Sequence, residues 1–379
     1  MNALVTATFL LLLQRGFADS LQASKRVLYR EPDSVPVHAF GGHIFVANRA
    51  GGSVTGIDPE TLAIVAQYQL PDDGEPMYFG WSRDPPELWV GDRRNNRLVI
   101  LKLSGRKLIP DGFLDTPAGL FHTMNTQDGN VKYPIVWNTC DIANVTVVYD
   151  LTTRRKLAEI PRPPIVAELG GVPHDVTANK DYGFVTYIKN SDGAGYVASY
   201  DARTFELVKV IKVLFDPHVA IRGSTKLAVA AQGGEVLLLS IPNLEQLESD
   251  REQPSPHGTI ISLDLKYLYV TNIAEEGENA LVSYSISTLR RLNCPSITTS
   301  NPIPHNPKTT LDGSKIFITH SGSTSDVCSA FNIGKDGCPL PATEKIIRTG
   351  LNPFGICVLP RSVTRPVCRV RRRLRFRLW

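Results

Sequence analysis

Five of the eight histidines in this 379-residue chain, His122, His174, His218, His257 and His305, recur roughly 40 to 50 residues apart, and four of them directly follow a proline. With 27 prolines in the chain, chance would place fewer than one histidine in that position. Neutral imidazole is a ligand for copper, zinc, iron and nickel. Several imidazoles without a fixed carboxylate favour copper or zinc over magnesium or calcium. His320 is a further imidazole that could join them, whereas His38 and His43 fall outside the spacing and read as ordinary loop or strand residues. The alternative role for the five is structural, each ring hydrogen-bonding nearby backbone. No Gly-x-Ser-x-Gly elbow accompanies them, so a serine hydrolase lacks its usual turn.

Such residues converge only if a repeating element carries them. A β-branched or aromatic run followed by a polar turn recurs at residues 45–48, 89–92, 135–138, 184–187, 228–231, 269–272 and 317–320. Each is followed by a second alternating run, at 54–58, 99–103, 145–150, 196–201, 236–241, 281–286 and 327–333. Several of these end in an Asp, as at Asp58, Asp150 and Asp201, whose carboxylate can accept downstream amides in a tight turn before a third strand. A fourth strand precedes each first run and opens at the proline pairs: Pro76-Met77, Pro173-His174, Pro217-His218, Pro256-His257, Pro304-His305 and Pro353-Phe354, with Phe121-His122 in the remaining unit. Proline is tolerated at the first residue of a strand, where its missing N–H costs no ladder bond.

Seven units of four strands predict an all-β chain closed into a seven-bladed β-propeller, since closure leaves few exposed edges. The last opening, at Phe354, has no later strands to pair with, so the C-terminal strand is expected to close the ring beside the strand after His43. The five imidazoles would then ring one mouth of the central channel, with Met77 and Phe354 completing the seven positions. The fifth unit is expected to be degraded, its outer strand replaced by a loop over residues 242–254.

The proline openings, the run Leu268, Tyr269, Val270, Thr271, Asn272 and the Val-x-Val-x-Asp strands together resemble the YVTN β-propeller repeat over nearly all of residues 37–360. Surface-layer and periplasmic propellers share that repeat, and the propeller portions of nitrous oxide reductase and amine dehydrogenase heavy chain are similar. The resemblance to nitrous oxide reductase implies channel histidines that bind copper, although nothing here matches that enzyme's second copper domain. Propeller lactonases also resemble this fold and hold a cation with loop side chains, which makes Asp92, Asn138, Asp175 and Asn272 positional candidates; strand-end turns give the same pattern. Two functions stay open: a binding or scaffold module that holds a protein, glycan or small molecule through its channel-mouth loops, and a copper-dependent oxidoreductase. A lactonase-like hydrolase stands behind them.

Residues 1–18 read as a signal peptide, with an apolar run too short to span a bilayer, followed by a lead-in over 19–36. The expected product is secreted or extracytoplasmic, monomeric and without a membrane span. The net charge of +4 comes from residues 361–379, a basic, disordered tail with eight arginines and no acid. Without those and Arg15, 32 basic residues face 37 acidic ones, which leaves no nucleic-acid footprint. The run from Glu275 to Glu278 reads as a solvated hairpin tip, and Asn144, Val145, Thr146 form a glycosylation sequon. Among six cysteines, Cys328 and Cys338 lie close enough in sequence to staple one hairpin, the one disulfide expected here.

Overall fold

A computed structural model describes residues 40–126, 134–223, 225–273 and 280–360. The signal peptide, the lead-in, His38, the acidic run 275–278 and the basic tail lie outside these residues. The fold is a seven-bladed β-propeller. Each blade is an antiparallel sheet, four-stranded in six blades and three-stranded in one. The inner strands, in ring order from blade 1, are Pro353–Val358, Pro76–Arg83, Leu120–Asn125, Val172–Ala178, Pro217–Ile221, Pro256–Ile261 and Pro304–Thr309. Blade 1 is completed by the C-terminal strand, which pairs with Ile44–Asn48 through Ile44↔Val358 and Phe45↔Cys357.

The middle strands are not half-buried. Ile44–Asn48 and Pro86–Asp92 are buried at every residue, because each blade is sandwiched between two others and both of its faces pack. Outer strands such as Ile64–Gln69 and Leu207–Val213 are largely exposed, and Gln and Lys are accordingly found there. The core is divided among the blade interfaces. Phe45 and Ala47 of blade 1 pack against Phe79 and Val90 of blade 2. Phe317 and Cys328 of blade 7 pack against Val46 and Ile356 of blade 1, which closes the circle. The predicted turn chemistry is present: Asp58 Oδ1 accepts from the amides of Glu60 and Thr61 at 2.8 and 3.2 Å, and Asp201 Oδ1 accepts from Arg203 and Thr204 at 2.8 and 3.0 Å.

Two expectations are corrected. The fifth unit keeps its outer strand, Gln246–Asp250, paired to the strand Glu235–Ser240 through Val236↔Asp250. Blade 6 is the three-stranded sheet, with only an isolated bridge between Tyr284 and Arg291 where a fourth strand would run. The disulfide is Cys294–Cys338, not Cys328–Cys338. Cys328 is fully buried in the strand Val327–Asn332, facing the core between blades 7 and 1, so its thiol points away from the loop that carries Cys338. Cys338 instead ties that loop to the irregular segment that stands in for the missing strand of blade 6. No helix among the described residues is long and apolar enough to cross a membrane.

Candidate metal centre at the channel mouth

All inner strands begin at the same mouth, and a local irregularity in pairing follows the opening residue in six of the seven. The register shifts between Pro173 and Val176, between Pro256 and Thr259 and between Pro304 and Pro307, for example. A bulge there re-aims one side chain. Four of the five histidines, His122, His174, His257 and His305, sit in such a bulge, while His218 reaches the mouth from a regular ladder.

Three of the blade interfaces are fastened at this level by a threonine of the middle strand. Thr139 Oγ1 accepts from the amide of His122 in its own blade at 3.0 Å and donates to the carbonyl of His174 in the next at 2.6 Å. Thr271 Oγ1 donates to the carbonyl of His305 at 2.7 Å, and Thr319 Oγ1 to that of Phe354 at 3.0 Å. The glycine after the mouth residue permits this approach. A Cβ on Gly258 would lie 2.1 Å from the His305 carbonyl oxygen, and one on Gly355 would lie 2.0 Å from that of Met77.

The five histidines therefore sit in one chain of ring contacts. Centroids are 5.1 Å apart for His122 and His174, 4.9 Å for His174 and His218, 3.7 Å for His218 and His257, and 4.6 Å for His257 and His305. Phe354 follows at 4.2 Å from His305. The circle is completed by Tyr78, one residue past the expected Met77, whose ring stacks on His122 at 3.8 Å. Every one of the five imidazoles is buried.

Two carboxylates that sequence reasoning did not assign to this cluster lie within it. Asp175, considered only as a lactonase candidate, places Oδ1 2.7 Å from His122 Nδ1 and Oδ2 3.6 Å from His218 Nδ1, and also accepts from the amides of Val176 and Val219. Asp216 Oδ1 lies 3.2 Å from His174 Nε2 and 3.6 Å from His218 Nε2. Their signal was local: one directly follows a mouth histidine and the other directly precedes a Pro-His pair. Burial pushes the His122 imidazolium down to about 4 despite Asp175. Burial acts in the same sense on His218, but the carboxylates on its two sides more than offset it and raise the ring to about 9. His257 and His305 are held well below the ordinary value by burial and by the charge on His218. Burial disfavours ionised Asp175 and Asp216 as well, yet the surrounding histidines hold both below the usual carboxylate range.

The Nε2 atoms of His122 and His257 are buried without a polar partner, and those of His174 and His218 have only Asp216 Oδ1, at 3.2 and 3.6 Å and outside hydrogen-bond geometry. The ligand atoms of His122, His174 and His218 lie within 4.8 Å of one another, and those of Asp216, His218 and His257 form a second such group. Asp175 on His122 Nδ1 fixes the tautomer that leaves the Nε2 lone pair bare, the usual outer-shell arrangement of a metal-ligating histidine. The residues thus fit a transition metal. His305 belongs to the ring but to neither group; its Nδ1 is 2.8 Å from the side-chain amide of Asn306.

The other candidates do not converge here. His320 has both ring nitrogens engaged inside blade 7, with the Pro302 carbonyl at 3.0 Å and Ser329 Oγ at 2.8 Å. Asp92 accepts from the Glu75 amide and from Arg97, Asn138 donates to the Val136 and Val147 carbonyls, and Asn272 donates to Gln253. Each supports the end of its own strand.

No protein-family model and no curated protein matches the chain. Among solved structures, a functionally unknown protein from Desulfotomaculum acetoxidans is similar with a TM-score of 0.63 at 13% identity, covering 84% of this chain and 99% of its own. A putative 6-phosphogluconolactonase from Bacteroides uniformis has a TM-score of 0.63 at 15% identity, covering 83% and 98%. The periplasmic gluconolactonase of Pseudomonas aeruginosa has a TM-score of 0.63 at 13% identity, covering 84% and 99%. At such identities the likeness is one of fold.

Proposed function

We propose that this chain is an exported propeller of the YVTN type that binds a transition-metal ion at its channel mouth, with His122, His174 and His218 as the principal ligands. His257 and Asp216 form an adjoining set that shares His218. The observation that carries this reading is the convergence of buried imidazoles, with the ligand atoms of His122, His174 and His218 within 4.8 Å of one another and the Nε2 atoms of His122 and His257 without any polar partner. A purely structural role for the ring accounts for the threonine fasteners but leaves those atoms unexplained, since buried polar groups normally find partners. An all-nitrogen set with a nearby carboxylate suits copper or zinc, and copper stands higher in the divalent affinity order. Bound copper would supply one-electron redox chemistry, and the chain's own contribution is to orient the imidazoles through Asp175 and to screen them from water with Tyr78, Phe121 and Phe354. A metal-free binding or scaffold module, presenting channel-mouth loops to a protein, glycan or small molecule, is the competing function. The Cys294–Cys338 disulfide supports an oxidising, extracytoplasmic location. The lactonases' activity is not carried over, because three of the four positional candidates are engaged in strand ends.

Elemental analysis of the full chain, expressed with copper, zinc and iron all supplied, tests this directly. We expect close to one equivalent of copper or zinc, lost in a His122→Ala, His174→Ala, His218→Ala variant that keeps its unfolding midpoint. Less than a tenth of an equivalent of any of the three metals in the unaltered protein would leave the scaffold function standing instead.

A further inference from the structure

The same inner strands run on from the histidines and end around a second space. A cavity of about 240 Å³ is lined by the later residues of these strands and the turns beyond them, including Trp81, Arg83, Arg222, Lys308 and Ile356. Tyr78 also borders it, so the ring that stacks on His122 separates this cavity from the metal centre. Three cationic side chains line the space, and no Asp or Glu does.

Lys308 is the unusual member. It is only 9% exposed, and among the described residues its ammonium group has no hydrogen-bond or ion-pair partner. Arg222, which donates Nε to the Ile261 carbonyl at 3.1 Å, also lines the cavity, and the other charged or titratable groups there are Arg83, the Tyr78 hydroxyl and the Cys357 thiol. A buried lysine is almost always paired, because removing an ammonium from water is costly unless an anion takes the place of the solvent. Here the chain supplies cations in its place. Burial, reinforced by Arg222, lowers the Lys308 ammonium to about 8, so near neutral pH most of it still carries a charge that lacks a partner.

We infer that this cavity is a binding site for a small organic carboxylate, its anion held by Lys308 and Arg222 and its apolar body lying against Trp81 and Ile356. The volume falls somewhat below the roughly 300 Å³ at which drug-sized sites begin, which suits a compact molecule. The site is independent of the metal centre.

Calorimetric titration of the full chain at pH 7 with 2-naphthoate, 2-naphthamide and 2-naphthyl phosphate tests it. The expected result is one naphthoate bound per chain, at least tenfold weaker binding of the uncharged amide, and at least a tenfold loss of naphthoate affinity in Lys308→Met. Arg222→Gln should also weaken naphthoate and serves if the lysine variant does not fold. His218→Ala, which would strip the metal centre and touches no residue of the cavity wall, should leave naphthoate binding intact. Equal binding of acid and amide, unchanged affinity in the lysine and arginine variants, or no binding of any probe overturns the site. Binding of the phosphate alone overturns the assignment to carboxylates.

Discussion

At the scale of single residues the channel holds two buried cationic groups in opposite surroundings. His218 lies between Asp175 and Asp216, so a proton stands where the site would accept a metal cation. Lys308 has no such counterion. Its ammonium is ordinarily lost near 10.5 but in the folded chain at about 8. Below pH 8 both folded and unfolded chains carry the proton, and the folded one bears the full cost of burying it. Between pH 8 and 10.5 the unfolded chain still binds the proton while the folded chain has released it, so stability rises with pH across that window. At 1.36 kcal/mol per pH unit the cost is about 3 kcal/mol at pH 7. Lys308→Met should therefore stabilise the ligand-free protein by about 2–3 kcal/mol at pH 7, with most of that gain gone above pH 10.5. Denaturant midpoints at the two pH values check this, and an equal gain at both would mean that the lysine is not titrating as its burial dictates. Neither charge state could be read from sequence. The five histidines were legible because a repeat placed them in register. Asp216 and Lys308 occur once each, and their meaning comes only from what ring closure brings beside them.

At the scale of elements the repeat was legible wherever its strands obeyed strand chemistry. The inner strands, the Asp turns and six of the seven mouth positions appear where the proline pairs and apolar runs placed them, the exception being Tyr78 in place of Met77. The outer strands were harder, because their exposed faces need no apolar pattern. Gln246–Asp250 is a strand without a single apolar alternation, and prolines at 242 and 254 flank it without entering its ladder. In blade 6 a disulfide and a few anchoring contacts do the work of the missing strand: Cys294 binds Cys338, Ile297 is buried, and Tyr269 donates to the Gly337 carbonyl at 3.0 Å. The bond closes a loop of 44 residues, for which the chain-entropy estimate is about 4 kcal/mol. Cys294→Ser should lower unfolding stability by roughly 2–4 kcal/mol, read from denaturant midpoints under non-reducing conditions. Cys328→Ser should leave the cross-link intact, which peptide mapping of the unreduced protein would show. A Cys328–Cys338 peptide in that map would contradict the geometry described above.

At the scale of the whole molecule the ring is held by interfaces that each join two neighbouring blades, so its weakest arrangement is an open one. Residues near the two ends of the fold share blade 1, and the pairing of Ile44 with Val358 is the most distant in sequence that the strands make. Ile356 packs in the core between blades 7 and 1, while Cys357 and Leu359 pack in the core between blades 1 and 2, so one strand serves two interfaces. It also carries Phe354, which covers His305 and whose carbonyl takes the last threonine fastener, from Thr319. Removing residues 353–379 would leave the fully buried, mostly apolar strand Ile44–Asn48 as an open edge and would uncover the histidine ring. Losing several buried side chains at about 2–5 kcal/mol each exceeds the 5–15 kcal/mol by which a domain is ordinarily stable. That truncation should abolish cooperative unfolding and metal retention together. Removing only residues 361–379 should change neither, because the strand, its two interfaces and Phe354 all remain. Thermal unfolding and elemental analysis of the two shortened chains measure both effects. A cooperative, metal-bearing protein without residues 353–379 would show that the ring does not depend on this strand for closure.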